Sequence, residues 1–130
     1  MPLVKIHVIR GARTPQQLRE LADTIQSVMV ARFNAPANDR FQIISQHDRE
    51  EIITDDYGLG LNRTDSLVII HIFQQGRSRE VKQATFSGLA AALNEQCGLA
   101  GDDLVVSVSA NTREDWSLGL GRAQFINGDL

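Results

Sequence analysis

The chain states one structural plan twice. Residues 3–9, LVKIHVI, alternate apolar and polar side chains and are rich in β-branched residues, the pattern of a half-buried strand. Gly11 ends that run. TPQQ follows, with Thr14 placed as an N-cap, Pro15 at the first helical position and Gln17 completing a capping box. Leu18, Leu21, Ala22, Ile25, Val28, Met29 and Phe33 then recur at helical spacing. This predicts a helix from about Pro15 to Phe33, ending before the Asn34–Pro36 turn. FQIISQHD, residues 41–48, reads as a second strand. The plan restarts at SLVIIHIF, residues 66–73, the most apolar strand and hence the most buried. A loop, QQGR, leads to Ser78 as N-cap of a helix carrying Val81, Thr85, Leu89, Ala92 and Leu93 and ending near Gly98. DLVVSVSA, residues 103–110, is its closing strand.

Each half is therefore a β-α-β unit, about residues 1–50 and 66–112, within a single domain spanning 1–130. Right-handed crossovers make the two strands of each unit parallel. The expected fold is α/β (α+β in some schemes): a β-α-β-α-β pseudo-repeat, a four-stranded mixed sheet with two helices on one face. The other face carries Ile and Val, and burying such a patch against other subunits predicts an oligomer. Residues 49–65 are expected to hold a short turn around Ile52 and Ile53, then a glycine-rich loop. The tail from Asn111 reads as an irregular loop with a short strand or hairpin.

Composition narrows the function classes. A net charge of −3 and a pI near 5.5 leave no basic block for nucleic acid or a membrane surface. The one cysteine, Cys97, excludes an intrachain disulfide framework and reads as a small buried hydrophobe near a helix end. No charged start precedes an apolar core and no apolar run reaches membrane-spanning length, so a cytoplasmic protein is expected. His7, His47 and His71 lack metal-motif spacing and read as surface or hydrogen-bonded sheet residues, with no metal site expected. GLGLN (58–62) and GLGRAQF (119–125) contain GxG, but neither follows a strand and opens a helix, so no dinucleotide cofactor is expected. Their glycines serve tight backbone conformations.

The chemistry-bearing candidates lie at strand ends. NDRFQ puts Asp39 and Arg40 at the mouth of the second strand, and QQGR puts Arg77 just past the third. Alone, these read either as solvated loop charges or as partners of a shared site. Trp116, the one tryptophan, suits an oligomer anchor or a pocket wall. Pro2 stands directly behind the initiator methionine, and removal of Met1 leaves a secondary amine at the start of a strand. An α-amino group titrates near pH ~8, so it is tunable near neutrality. Arg77 nearby would lower that value and Asp39 nearby would raise it. Such an amine suits general acid or base work, or attack on a carbonyl.

The opening PLVKIHVI, the two β-α-β halves and the loop arginine resemble the tautomerase superfamily, and within it the malonate semialdehyde decarboxylases. PANDRFQ, SQHD, DYGLGLNRT, GRSRE and DWSLGLGRAQFINGDL carry the resemblance, which spans essentially the whole chain. It implies a homotrimer with an active site around an amino-terminal proline, here Pro2, with Asp39 and Arg77 at the family's aspartate and arginine positions. The family's second arginine, two residues earlier, is Gln75 here, a departure that bears on how the substrate carboxylate is gripped. A related decarboxylase branch is similar in having glutamine there. Trp116 and Phe125 match aromatic positions near the family's pocket. The implied reaction is decarboxylation of a small oxo acid, 3-oxopropanoate, to acetaldehyde, with no metal or organic cofactor. Tautomerisation of a 2-oxo acid such as phenylpyruvate, hydration of an unsaturated or halogenated three-carbon acid, and a non-catalytic binding or structural trimer are the alternatives.

Overall fold

The computed structural model describes residues 2–130; Met1, whose removal the sequence reading requires, lies outside the described residues. Strand β1 (Leu3–Ile9) leads into helix α1 (Pro15–Arg32) and strand β2 (Phe41–His47). Strand β3 (Val68–Gln75), helix α2 (Arg79–Cys97) and strand β4 (Leu104–Asn111) repeat the unit. The sheet order is β2-β1-β3-β4. β1 runs parallel to β2 and β3 parallel to β4, while β1 and β3 join the halves antiparallel. This is the expected mixed sheet.

Local chemistry accounts for both helices. Thr14 accepts from the Gln17 backbone N–H, and the Gln17 side chain accepts from the Thr14 N–H, so the capping box is closed. Ser78 accepts from the Val81 N–H, and α2 stops at Gly98, whose φ of 66° suits a residue without a Cβ. Val4, Ile6 and Val8 of β1 and Val68, Ile70 and Ile72 of β3 face one side of the sheet. There they pack with Leu21, Ile25 and Met29 of α1 and Leu89 and Leu93 of α2 into one buried core. The helices approach closely at Gly88, where an added Cβ would lie 3.1 Å from Arg32 Cγ and 3.2 Å from Val28 Cγ1.

Three expectations change. Gln74 and Gln75 belong to β3 rather than to the loop, paired with Ala110 and Asn111, because β4 continues far enough to supply their partners. Residues 49–65 hold a 3-10 turn at Arg49–Glu51, just before the expected position. The tail forms no strand among the described residues. A 3-10 turn at Arg113–Asp115 and a short helix α3 (Gln124–Asn127) stand there instead. Gln124 holds the tail, accepting from the Leu118 N–H at 2.9 Å and donating to the Gly119 carbonyl at 2.8 Å.

The open sheet face carries the expected Ile and Val side chains, with Leu3, Phe41 and Phe73 in one row, and mixes them with polar groups. Register aligns Lys5, Ile43, His71 and Ser107 in one row and His7, Ser45, Ile69 and Val105 in the next. His7 Nδ1 lies 2.8 Å from His47 Nε2, and His71 Nε2 lies 2.8 Å from Ser109 Oγ, so all three histidines are hydrogen-bonded sheet residues. Phe41 and Ile43 on that face remain exposed in the single chain. No helix among the described residues is long and apolar enough to cross a membrane.

Candidate active site

Pro2 is buried at the start of β1. The parallel register pairs Leu3 with Phe41, and the antiparallel register pairs Leu3 with Phe73. One step back along the chain, Pro2 therefore stands between Arg40 and Gln74. β1 is an inner strand, so the residue just before it is flanked on both sides, which a terminal amine needs if it is to be held rigidly.

The chain leaving α1 brings Asp39 to the same end of the sheet. Asp39 N–H donates to the Pro36 carbonyl at 3.0 Å, closing a turn. The buried Gln26 of α1 donates from Nε2 to the Asp39 carbonyl at 3.3 Å. Asp39 lines a cavity of about 370 Å³ with Pro36, Asn38, Phe41, Leu118, Phe125 and Leu130. Burial in these mostly apolar surroundings pushes its carboxyl above the usual aspartate range. Arg40, its neighbour in sequence, turns away. It donates from Nε to Gln42 Oε1 at 2.8 Å and from Nη2 to Asp23 Oδ1 at 2.6 Å.

Arg77 is tied to the C-terminal end of α1. Its Nε donates to the Phe33 carbonyl at 2.9 Å, and its Nη1 to the carbonyls of Gln75 at 3.0 Å and Gly76 at 3.3 Å. The guanidinium carbon lies 5.4 Å from the centroid of the buried Phe33 ring. Burial holds its pKa below the usual arginine value, though an arginine stays charged throughout the working range. Three residues after Phe33 comes Pro36, the start of the Asp39 turn. Asp39 and Arg77 are thus fixed by one short segment, the exit of α1.

The remaining candidates divide into two groups. Trp116 donates from Nε1 to Asn111 Oδ1 at 2.8 Å, and Asn111 is the β4 partner of Gln75. Trp116 and Gln75 therefore meet at the β3–β4 end, where the Gln75 Nε2 is buried with no acceptor. Phe125 instead shares the Asp39 cavity, with the Arg113 guanidinium 5.4 Å from its ring centroid and Arg113 Nη2 donating to its carbonyl at 3.0 Å. Pro36, Asn38, Leu118 and Leu130 are cavity walls that sequence reasoning missed. They carry no periodic signal, since the tail reaches Asp39 only through the folded chain.

The tautomerase enzyme family is matched by two family models, over residues 39–119 and 2–62. Probable tautomerase YrdN of Bacillus subtilis (strain 168) is 42% identical over 130 residues, covering 100% of both chains. Probable tautomerase YusQ of the same organism is 37% identical over 127 residues, covering 97% of this chain and 99% of the relative. A crystal structure of malonate semialdehyde decarboxylase, described with decarboxylase and hydratase activities, superposes with a TM-score of 0.95 at 40% identity, covering 98% of both chains. The FG41 malonate semialdehyde decarboxylase inhibited by 3-bromopropiolate superposes with a TM-score of 0.92 at 40% identity, covering 98% of this chain and 97% of its own. Fused 4-OT, solved as a symmetric trimer, shares the fold at 20% identity with a TM-score of 0.77, covering 97% and 98%. The chain belongs to the tautomerase superfamily and is similar over its full length to malonate semialdehyde decarboxylase.

Proposed function

We propose that this enzyme decarboxylates 3-oxopropanoate to acetaldehyde and carbon dioxide without a cofactor, as a cytoplasmic homotrimer, with Pro2 as its working amine. The supporting observation is the meeting, at one sheet end, of buried Pro2 with segments bearing a carboxyl raised by burial and a half-buried arginine. The full-length likeness to two malonate semialdehyde decarboxylases supports the same substrate class. Exposed Ile53, Tyr57, Leu59 and Leu120 offer apolar surface that a trimer would cover.

The substrate carboxylate leaves as carbon dioxide when the bond between C1 and C2 breaks, and its electron pair must pass into the aldehyde. Pro2 provides the sink by donating a proton to the aldehyde oxygen, or by forming an iminium with loss of water. The resulting enol or enamine takes a proton at C2, and the iminium route ends by hydrolysis. Either way one proton is consumed. Arg77, whose Nη1 donates to the Gln75 main-chain carbonyl, holds the carboxylate together with the Gln75 side chain and turns the breaking bond perpendicular to the carbonyl plane. Asp39 keeps Pro2 protonated or activates water. Phe125, in the Asp39 cavity, and Trp116, reaching in from the β3–β4 end, supply apolar surface that favours the neutral products.

In protein whose loss of Met1 is verified by intact mass, Pro2→Ala should reduce turnover of 3-oxopropanoate by about 100-fold or more. Full activity in that variant would overturn the assignment. A second reading is tautomerisation of a small 2-oxo acid, favoured by the two relatives described as probable tautomerases. It needs Pro2 unprotonated near neutrality. A panel of 3-oxopropanoate, phenylpyruvate and an acetylenic 2-oxo acid separates decarboxylase, tautomerase and hydratase, and inactivity on all three favours a binding trimer.

A further inference from the structure

Gln74 is out of place for its position. β3 turns Val68, Ile70, Ile72 and Gln74 toward the helices, and the first three are apolar core. Gln74 is as buried as they are, at 1% exposure, yet neither its Oε1 nor its Nε2 has a hydrogen-bond partner. A buried amide left unpaired on both atoms carries the full cost of its lost hydration, which a methionine or leucine of similar volume would avoid. Its position shows what the amide can serve. On the β4 side its partner is Ala110, which offers only a methyl group. On the β1 side, one step beyond the Leu3–Phe73 pair, it stands opposite Pro2. Pro2 has the parity of Val4, Ile6 and Val8, which face the same helices, and it is itself buried. Side chains directly opposite across an antiparallel pair lie within about 5.5 Å at Cβ, and glutamine is long enough to close the remaining gap.

We propose that Gln74 is the positioning residue for the Pro2 amine: its Oε1 accepts a hydrogen bond from the protonated amine exposed when Met1 is removed. This rests on the reading of Pro2 as the working amine and adds to it a neutral acceptor on the core side, opposite in kind to the charged Asp39. A protonated secondary amine has two N–H groups. One is directed by Gln74, which leaves the other for Asp39 or for the substrate oxygen. Because the acceptor is uncharged, it fixes the direction of the amine without cancelling its charge.

The test reads the amine directly. Protein labelled with nitrogen-15 in proline, with Met1 loss verified, is titrated by nitrogen NMR as wild type and as Gln74→Met. The Pro2 midpoint should fall by about one pH unit, the loss of one hydrogen bond to a charged donor. A midpoint that does not move overturns the proposal. If Gln74→Met does not fold, Gln74→Glu replaces it: a carboxylate against the amine should move the midpoint upward, and an unmoved midpoint again overturns it. The amine titrates whether or not it is catalytic. Activity surviving in Pro2→Ala therefore sinks the proposed function, while the NMR midpoint separately decides the role of Gln74.

Discussion

Arg77 Nε donates to the carbonyl of Phe33 at 2.9 Å, so the cation of the second β-α-β unit is held by the last turn of the helix of the first. The same turn runs on through Pro36 to Asp39, whose N–H it captures at 3.0 Å. One helix exit thereby sets the position of both charged candidates. Disturbing it should misplace the two together.

Arg77→Lys should therefore not be conservative. A lysine ammonium can reach one acceptor where the guanidinium reaches three carbonyls and stacks on Phe33. Turnover of 3-oxopropanoate at sub-saturating concentration should fall by about 10- to 100-fold. Steady-state kcat/KM measured with the melting temperature checks this, and unchanged kcat/KM would remove Arg77 from the site.

Asp39→Asn should separate stability from activity. Burial raises the Asp39 carboxyl, so the folded state binds its proton more readily than the unfolded chain does. Its contribution to stability is present at low pH and is lost as pH rises through the raised value. At neutral pH the ionised carboxyl is a burden, and the asparagine variant should melt no lower than wild type while turning over substrate more slowly. Thermal melts at pH 4 and 7, paired with assays, give the comparison; a lower melting temperature at pH 7 would contradict it.

His7 should make the fold acid-sensitive. Burial lowers its pKa from the ordinary 6.5, helped by His47 on β2, Lys5 on its own strand and His71 on β3; β4 brings the uncharged Val105, Ser107, Ser109 and Asn111 to this face. Below pH 6.5 the unfolded chain therefore holds the His7 proton more readily, so stability falls as pH falls and levels off once the folded histidine also titrates. His7→Gln should flatten the curve between neutrality and the lowered value. A wild-type melting temperature independent of pH in that window would refute this.

Gly88→Val should loosen the contact between the two helices. A Cβ there already meets Val28 Cγ1 at 3.2 Å and Arg32 Cγ at 3.1 Å. Arg32 can swing aside, but Val28 is buried, so branching at residue 88 should cost about 1–3 kcal/mol. Chemical denaturation measures it. A variant as stable as wild type would show that α1 and α2 part without penalty.

Local signals were enough for the scaffold. Alternation in LVKIHVI, the Thr14–Gln17 capping box, Ser78 and Gly98 act within a few residues, and the elements they predicted stand where expected within a residue or two. The repeated β-α-β order then implied parallel pairing within each half, which the sheet has. Pro2, Asp39 and Arg77 could be singled out because a terminal amine and lone charges at strand ends are visible as residues, and because the resemblance named them. What the tertiary structure decided depends on contacts distant in sequence. Gln74 looked like loop until β4 paired with it, and its unpaired amide has meaning only because the β1–β3 register brings Pro2 alongside. Arg40 and Asp39 are adjacent in sequence, yet Asp23 on α1 draws one away while the Pro36 turn keeps the other at the cavity. Leu118 and Leu130 become walls only when Gln124 folds the tail back, a closure with no periodicity to announce it. Capping and alternation act between near neighbours and are written in the sequence. The candidate residues, spread over four strand ends and a helix exit, come together only once the chain has closed on itself.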